Sequence, residues 1–161
     1  MREVWADTLS ELAQANPNLL VLDADLGTST RSDRFAAAHP GQFLQMGIAE
    51  QNMVGVAAGL ATLGFVPWVS SFTVFLTHRA VDQVRMVVAQ ARANVKIGAA
   101  YSGLLTGFTG KTHQDVQDLA IMRAMPGMTV LAPADATECA AMVRWARNTM
   151  GPVYQIGRAH V

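Results

Sequence analysis

The chain has 161 residues, of which 51% are hydrophobic and 15% are charged, and its 12 basic and 12 acidic residues give a formal net charge of zero. This length suits one domain, and the high apolar fraction predicts either a parallel sheet covered on both faces or large subunit interfaces. Neutrality argues against a nucleic-acid partner, which needs a clustered basic surface.

Helical and strand patterns alternate along the chain. The amphipathic segment 4–15 predicts a helix that ends at the turn Asn16-Pro17-Asn18. The remaining predicted elements follow in chain order: strand 19–22, short helix 35–38, strand 43–46, helix 48–63, strand 66–69, helix 77–93, strand 95–101, helix 115–124, strand 128–132, helix 135–148, and a last strand from Val153. These near-continuous apolar strands between helices predict an α/β fold with three layers, a parallel sheet with helices on both faces. Ligands bind such sheets at the carboxyl ends of the strands.

The segment 52–77 contains no Asp, Glu, Lys or Arg, and an apolar run longer than about 18 residues is typical of a membrane-spanning helix. Gly64 and Pro67 interrupt this run, and its second half is polar, so we interpret it as helix, turn, strand and loop inside a core. The acidic amino-terminal helix has no apolar signal core and is not a signal peptide. The single cysteine, Cys139, cannot form an internal disulfide. We therefore expect a cytoplasmic protein without a membrane partner.

Glu50 is the lone carboxylate between Met46 and Phe75. A charge in an apolar segment is expensive unless it is paired. One interpretation is a helix-start acid that accepts hydrogen bonds from free backbone amides. The other is a carboxyl group that donates to, or shares a proton with, a ligand nitrogen. Both interpretations stay open on position alone.

Two aromatic residues, Phe72 and Phe75, follow the strand after Glu50, and His78 comes next. These side chains either fill the core or form a stacking wall for a flat heterocycle. Further on, the Gly-rich segment 107–115 resembles a phosphate loop, but its GxxGKT spacing is too short for Walker A, so triphosphate binding is rejected. His113 is either a structural histidine or an acid/base or hydroxyl-binding group. No His/Cys/Glu cluster has metal-ligand spacing, and no metal ligand is expected in this chain.

Taken together, GIAEQNMVGVAAGLA, PWVSSFTVF, GKTHQDVQDLAIMRAMPGMTVLAPAD and GPVY resemble the pyrimidine-binding domain of the transketolase family of thiamine diphosphate enzymes. The similarity spans 1–154 and is greatest to the carboxyl-terminal subunit of transketolases that are split into two chains, which agrees with the start at Met1. The heptapeptide 155–161, QIGRAHV, resembles a translated sequencing adapter. We therefore expect that 155–161 is a non-native tail and that Arg158 and His160 have no function. We also expect that the carboxyl-terminal domain of the family is missing.

The resemblance implies roles for individual positions. The catalytic positions implied are Glu50 and His113. Glu50 matches the glutamate that hydrogen-bonds the aminopyrimidine ring of the cofactor. His113 matches a histidine near the reacting oxygens of the substrate. The cofactor-binding positions implied are Glu50, Phe72, Phe75, His78 and Asp25. The substrate-binding positions implied are Arg2, Ser29, His113, Tyr101 and Thr109.

Two of these positions depart from the family pattern. Thr109 occupies the position where sugar-cleaving transketolases usually have an aspartate that hydrogen-bonds a hydroxyl group of the substrate. Tyr101 stands where they usually have a histidine that contacts phosphate. Because unpaired polar groups discriminate strongly between substrates, we expect the substrate preference to differ from that of the family.

The activity implied is transfer of a two-carbon ketol unit from a ketose or ketose phosphate to an aldose, as in the pentose phosphate pathway. The GDG…N motif that binds magnesium and the diphosphate is absent. The resemblance therefore implies an amino-terminal partner subunit that holds thiamine diphosphate and Mg²⁺, and a heterotetramer. The alternatives are a deoxyxylulose phosphate synthase, the β subunit of a 2-oxoacid dehydrogenase, and a non-catalytic module of the same fold. The GKTHQ segment favours the transketolase branch, and Glu50 with both phenylalanines argues against the non-catalytic module.

Overall fold

The computed structural model describes residues 1–104 and 106–158, and for Arg158 the backbone alone. The α-helices are α1 (Arg2–Gln14), α2 (Gly27–Thr30), α3 (Ser32–Ala38), α4 (Glu50–Thr62), α5 (Val81–Gln83), α6 (Asp118–Arg123) and α7 (Ala136–Asn148). The strands are β1 (Leu19–Asp23), β2 (Phe43–Gln45), β3 (Val66–Phe72), β4 (Lys96–Ser102), β5 (Thr129–Leu131) and β6 (Val153–Arg158). Among the described residues, no helix is both long and apolar enough to cross a membrane.

The described strands form one sheet in the order β2-β1-β3-β4-β6-β5, and every neighbouring pair is parallel. This confirms the predicted parallel sheet. The chain runs from β1 to β2 on one side and then returns to β3 on the other side of β1. The carboxyl ends of β1 and β3 therefore border a topological switch point, which is where ligands bind in open α/β sheets.

The core lies in two apolar layers, one on each face of the sheet, as the predicted three-layer arrangement requires. Successive strand residues alternate between them, since Leu20 and Leu22 face one layer while Leu19 and Val21 face the other. Helix α4, the segment 75–90 and α6 cover the first face. Helices α1, α3 and α7 cover the second. Burial on both faces explains why the strands read as continuous apolar runs.

The structure corrects two predicted helices. The region 77–93 is not one regular helix, because the π-helical segments Phe75–Arg79 and Val84–Gln90 flank the short α5. The helix predicted over 115–124 begins only at Asp118. The reason is that the backbone of Asp115 pairs with Gly103 in an isolated antiparallel bridge, with hydrogen bonds of 2.7 and 3.3 Å, so Asp115 is committed to a loop.

The last strand reaches into the segment that the sequence analysis assigns to a tail. Gln155 and Ile156 pair with Gly98 and Ala99 of β4 and are buried. His160 lies outside the described residues. The assignment of 155–161 to a non-native tail stays a prediction.

Candidate active site

A cleft of about 390 Å³ opens at the carboxyl end of the sheet, beside the switch point. Its lining residues come from three loops and from two helical segments: Ala24, Asp25, Leu26, Ile48, Glu50, Phe75, Arg79, Thr112 and His113. The loop after β1 supplies the first three, and the start of α4 supplies Glu50. Three of the predicted site residues besides Glu50 therefore meet in one cleft, namely Asp25, Phe75 and His113.

Glu50 is the first residue of α4 and is fully buried. Its Oε1 accepts a long hydrogen bond of 3.3 Å from Ser71 Oγ of β3. Its Oε2 accepts a hydrogen bond of 2.7 Å from Arg79 Nη1, which is also an ion pair. An ionised carboxylate has about four lone-pair sites, so these two contacts leave acceptor capacity for a ligand. The carboxylate is therefore a preformed acceptor at the wall of the cleft.

Arg79 lines the cleft although the sequence motifs did not point to it. Its guanidinium carbon lies 4.3 Å from the centre of the Phe75 ring, and its backbone oxygen accepts a 2.9 Å hydrogen bond from Gln51 Nε2 of α4. The sequence does contain one indication of this role. A buried acid requires a cation, and Arg79 is the first Lys or Arg after Glu50.

Phe72 and Phe75 form an aromatic wall, in which Phe72 is buried and Phe75 lines the cleft. Their rings are stacked, with centroids 5.9 Å apart and planes 4° from parallel. His113 packs edge-on against both rings, at 5.9 Å from Phe72 and 5.4 Å from Phe75. Tyr101 contacts the other side, with its ring centroid 4.5 Å from that of Phe72. The wall thus joins the cleft to the end of β4.

His113 is the last residue of the short 3₁₀ helix Lys111–His113. The loop that carries it is anchored by Asp115, a buried carboxylate that accepts hydrogen bonds from Thr77 Oγ1 and, at 2.8 Å, from the backbone amide of Gln117. His78 Nε2 lies 3.5 Å from Asp115 Oδ1. The structure therefore places the imidazole of His78 against this anchor, and His78 is not among the residues that line the cleft.

A second carboxylate fixes the helix that follows this loop. Asp118 Oδ2 accepts hydrogen bonds from Ser102 Oγ at 2.8 Å and from Tyr154 Oη at 3.2 Å. Burial raises the pKa of Tyr154 well above its usual range, with a further contribution from Asp118, so the phenol remains a donor. The hydrogen bond between Ser102, which precedes the His113 loop, and Asp118, which follows it, thus joins the two ends of the loop.

Three of the predicted substrate positions form a separate cluster beside the aromatic wall. Arg2 Nη1 donates to the backbone oxygen of Ser29 at 2.8 Å and also to the hydroxyl of Tyr101. Tyr101 adopts a left-handed backbone conformation, with φ of 61°. Thr109 stays in the turn Gly107–Thr109, where its hydroxyl donates to the oxygen of Thr106 at 2.7 Å. The substrate positions are therefore not all gathered in the cleft.

The residues of the cleft fit one half of the cofactor that the sequence analysis expects. A buried acceptor beside a stacked aromatic pair suits a flat ring with a nitrogen donor. No group of three or more His, Cys, Asp or Glu side chains suited to a metal ion occurs in the described ranges 1–104 and 106–158. The diphosphate-binding motif is also absent from the chain. The cleft therefore offers a buried acceptor and an aromatic pair of the kind that suits a pyrimidine ring.

Comparisons with known proteins agree with this geometry. A family model described as the transketolase pyrimidine binding domain matches residues 1–156. A putative transketolase C-terminal section from Methanocaldococcus jannaschii is 46% identical over 154 residues, which are 96% of this chain and 49% of that protein. The 6-deoxy-6-sulfo-D-fructose transketolase subunit SqwH from Clostridium sp. is 41% identical over 154 residues, again 96% of this chain and 48% of that protein.

Solved structures give the same result for the fold. A split-gene transketolase described as an inactive β4 tetramer has a TM-score of 0.87 and 46% identity, and the match covers 98% of this chain and 50% of that one. A transketolase from Campylobacter jejuni has a TM-score of 0.88 and 25% identity, over 98% of this chain and 25% of that one. The chain spans about half the length of the transketolase subunits that it matches.

Proposed function

The chain belongs to the transketolase pyrimidine-binding domain family, and we propose that it is the cofactor-activating subunit of a thiamine-diphosphate-dependent transketolase. The reaction would transfer a two-carbon ketol unit from a ketose donor to an aldose acceptor. The observation that carries this proposal is the buried carboxylate of Glu50, which faces a cleft beside the stacked rings of Phe72 and Phe75.

The side chains of this cleft suit the pyrimidine ring of the cofactor. Phe75 would stack on the ring, and Glu50 would accept a hydrogen bond from a ring nitrogen. When bound, thiamine diphosphate supplies the nucleophilic carbon and the electron sink for cleavage of the carbon–carbon bond. His113, which lies at the cleft wall against both phenylalanines, would bind or protonate an oxygen of the sugar. Asp25 lines the same cleft and would contact the cofactor or the partner.

A sugar phosphate is the substrate class that the second cluster supports. Arg2 is a cation with 23% of its side chain exposed, and Ser29 and Tyr101 hold its guanidinium. A guanidinium is the side chain best suited to bind phosphate oxygens through paired donors. Thr109 would place a hydroxyl where the common transketolases have a carboxylate that hydrogen-bonds a substrate hydroxyl. The donor sugar would therefore differ from theirs.

The chain would act with a partner subunit. The partner would hold the diphosphate and Mg²⁺, and the similarity to a putative transketolase C-terminal section and to a split-gene transketolase supports this arrangement. An exposed apolar groove of about 610 Å³ between α4 and the segment 84–94 supports assembly, and its lining includes Gly55, Gly59 and Met150. The lone buried Cys139 supports a cytoplasmic location. We extend the proposal to a heterotetramer and to a step of pentose phosphate metabolism.

The proposal is tested in the complex of the full chain with its amino-terminal partner, by measuring ketol transfer with thiamine diphosphate and Mg²⁺. Glu50→Gln should lower kcat by about 10²–10⁴-fold, the usual contribution of a positioned acid/base group, since it removes the carboxyl group that would exchange a proton with the ring nitrogen. The matched control is Glu11→Gln, an exposed acid that pairs with Arg144 on the outer helices and should leave the rate unchanged. A complex that keeps wild-type rates with Glu50→Gln would contradict the proposal.

A further inference from the structure

Arg79 has a contact pattern that the family resemblance does not assign. Its guanidinium makes a 2.7 Å hydrogen bond to Glu50 Oε2 and lies 4.3 Å over the Phe75 ring. The residue belongs to the π-helical segment Phe75–Arg79, which begins with that phenylalanine. Gln51 of α4 binds the backbone oxygen of Arg79 at 2.9 Å, so the helix that carries Glu50 also holds the arginine. Two elements therefore converge on one ion pair.

We infer that Arg79 is the positioning residue for Glu50: it balances the charge of the buried carboxylate and holds one oxygen, so that the other oxygen faces a ring nitrogen of the cofactor. This inference rests on the proposed function. The charge balance follows from burial, since the side chain of Glu50 is 1% exposed and a buried carboxylate without a cation is strongly unfavourable. In the described residues, Arg79 is the cation that pairs with it.

The orientation follows from the two contacts. Arg79 holds Oε2 at 2.7 Å, whereas Oε1 accepts the longer 3.3 Å hydrogen bond from Ser71. The shorter, charge-assisted bond is the stronger of the two. Oε1 is therefore the more weakly held oxygen, and it is the one we assign to a new donor. The guanidinium also lies over the Phe75 ring, a contact that helps to hold Arg79 in place and that a lysine would not reproduce with the same planar group.

The charge balance is measured on the chain by a double-mutant cycle of thermal unfolding with Arg79→Gln, Glu50→Gln and the double variant. Arg79→Gln should lower Tm by roughly 3–8 °C, because the carboxylate stays buried without its cation. Adding Glu50→Gln should restore more than half of that loss. The control is Arg85→Gln, an exposed arginine that pairs with Asp82 and should leave Tm within about 1 °C of wild type. Additive losses in the double variant would overturn the inference.

The positioning role is measured in the complex with the partner subunit, as the Kd of thiamine diphosphate between pH 5.5 and 8.5. Arg79→Gln should raise Kd about tenfold at neutral pH and change its pH profile, and Arg79→Lys should recover part of the affinity, because it keeps the charge without the planar fork. An unchanged or tighter Kd in Arg79→Gln would overturn the inference, and the tighter value would mean that Arg79 blocks the cleft. If Glu50→Gln keeps full activity while the cycle shows coupling, the proposed function fails and the pairing stands.

Discussion

Lys96, at the start of β4, gives a test of the fold that needs neither cofactor nor partner. Its side chain is fully buried, and Nζ donates to Asn94 Oδ1 at 2.8 Å, to Thr149 O at 2.6 Å and to Gly151 O at 2.7 Å. This ammonium ties β4 to the loop between α7 and β6. Burial, with a smaller contribution from the positive charge of Arg147, lowers the pKa of Lys96 to about 8.

The pH dependence of stability follows from that lowered pKa. The folded chain loses the Lys96 proton near pH 8, whereas the unfolded chain keeps it up to a pKa of about 10.4. Unfolding therefore takes up a proton in this window, and the free energy of unfolding rises with pH between about 8 and 10.4. Since one pKa unit corresponds to about 1.36 kcal/mol, the full rise from this residue is about 3 kcal/mol.

The assay is urea unfolding of the wild type and Lys96→Met at intervals from pH 7.5 to 10.5. The free energy of unfolding of the wild type minus that of Lys96→Met should increase by about 3 kcal/mol between about pH 8 and 10.4. Taking the difference removes the contributions of the other titrating groups, which are the same in both proteins. Lys111→Met, at an exposed lysine, is the control and should show no such change. A difference that stays constant or falls with pH would refute the reasoning.

Two further predictions concern packing and substrate choice. Gly98→Ala should lower the free energy of unfolding by about 1–3 kcal/mol, because the added Cβ would lie 2.6 Å from the Trp5 ring. Urea unfolding followed by tryptophan fluorescence measures this change. The control is Gly41→Ala, whose added Cβ meets nothing within 4 Å and which should leave the free energy of unfolding unchanged. Arg2→Gln in the complex with the partner should raise KM for a phosphorylated ketose by roughly 10–100-fold, the value of a lost charged hydrogen bond, and leave an unphosphorylated ketose little changed. Equal effects on both ketoses would argue against a phosphate contact at Arg2.

Much of the architecture could be predicted from the sequence. The alternation of apolar strands with helices predicts the parallel sheet, and the two faces of each strand are both covered, as continuous apolar runs require. The predicted boundaries of two helices differ from those in the structure. The predicted helix over 77–93 is interrupted by π-helical turns, and the helix expected from 115 begins at Asp118 because Asp115 bonds Gly103 across the loop. Such hydrogen bonds join distant residues and leave no periodic signal.

The site divides in the same way. The sequence by itself determined that Glu50 is a lone acid in an apolar run, that two aromatic residues follow the next strand, and that a Gly-rich loop carries His113. Only the tertiary structure decided which groups meet: Arg79 pairs with Glu50, and His78 faces Asp115. The physical reason is that residue type and periodicity are local properties of the chain. Pairing across elements depends on strand register and on the turn geometry of the π-helical segment, and both are set by packing on the sheet.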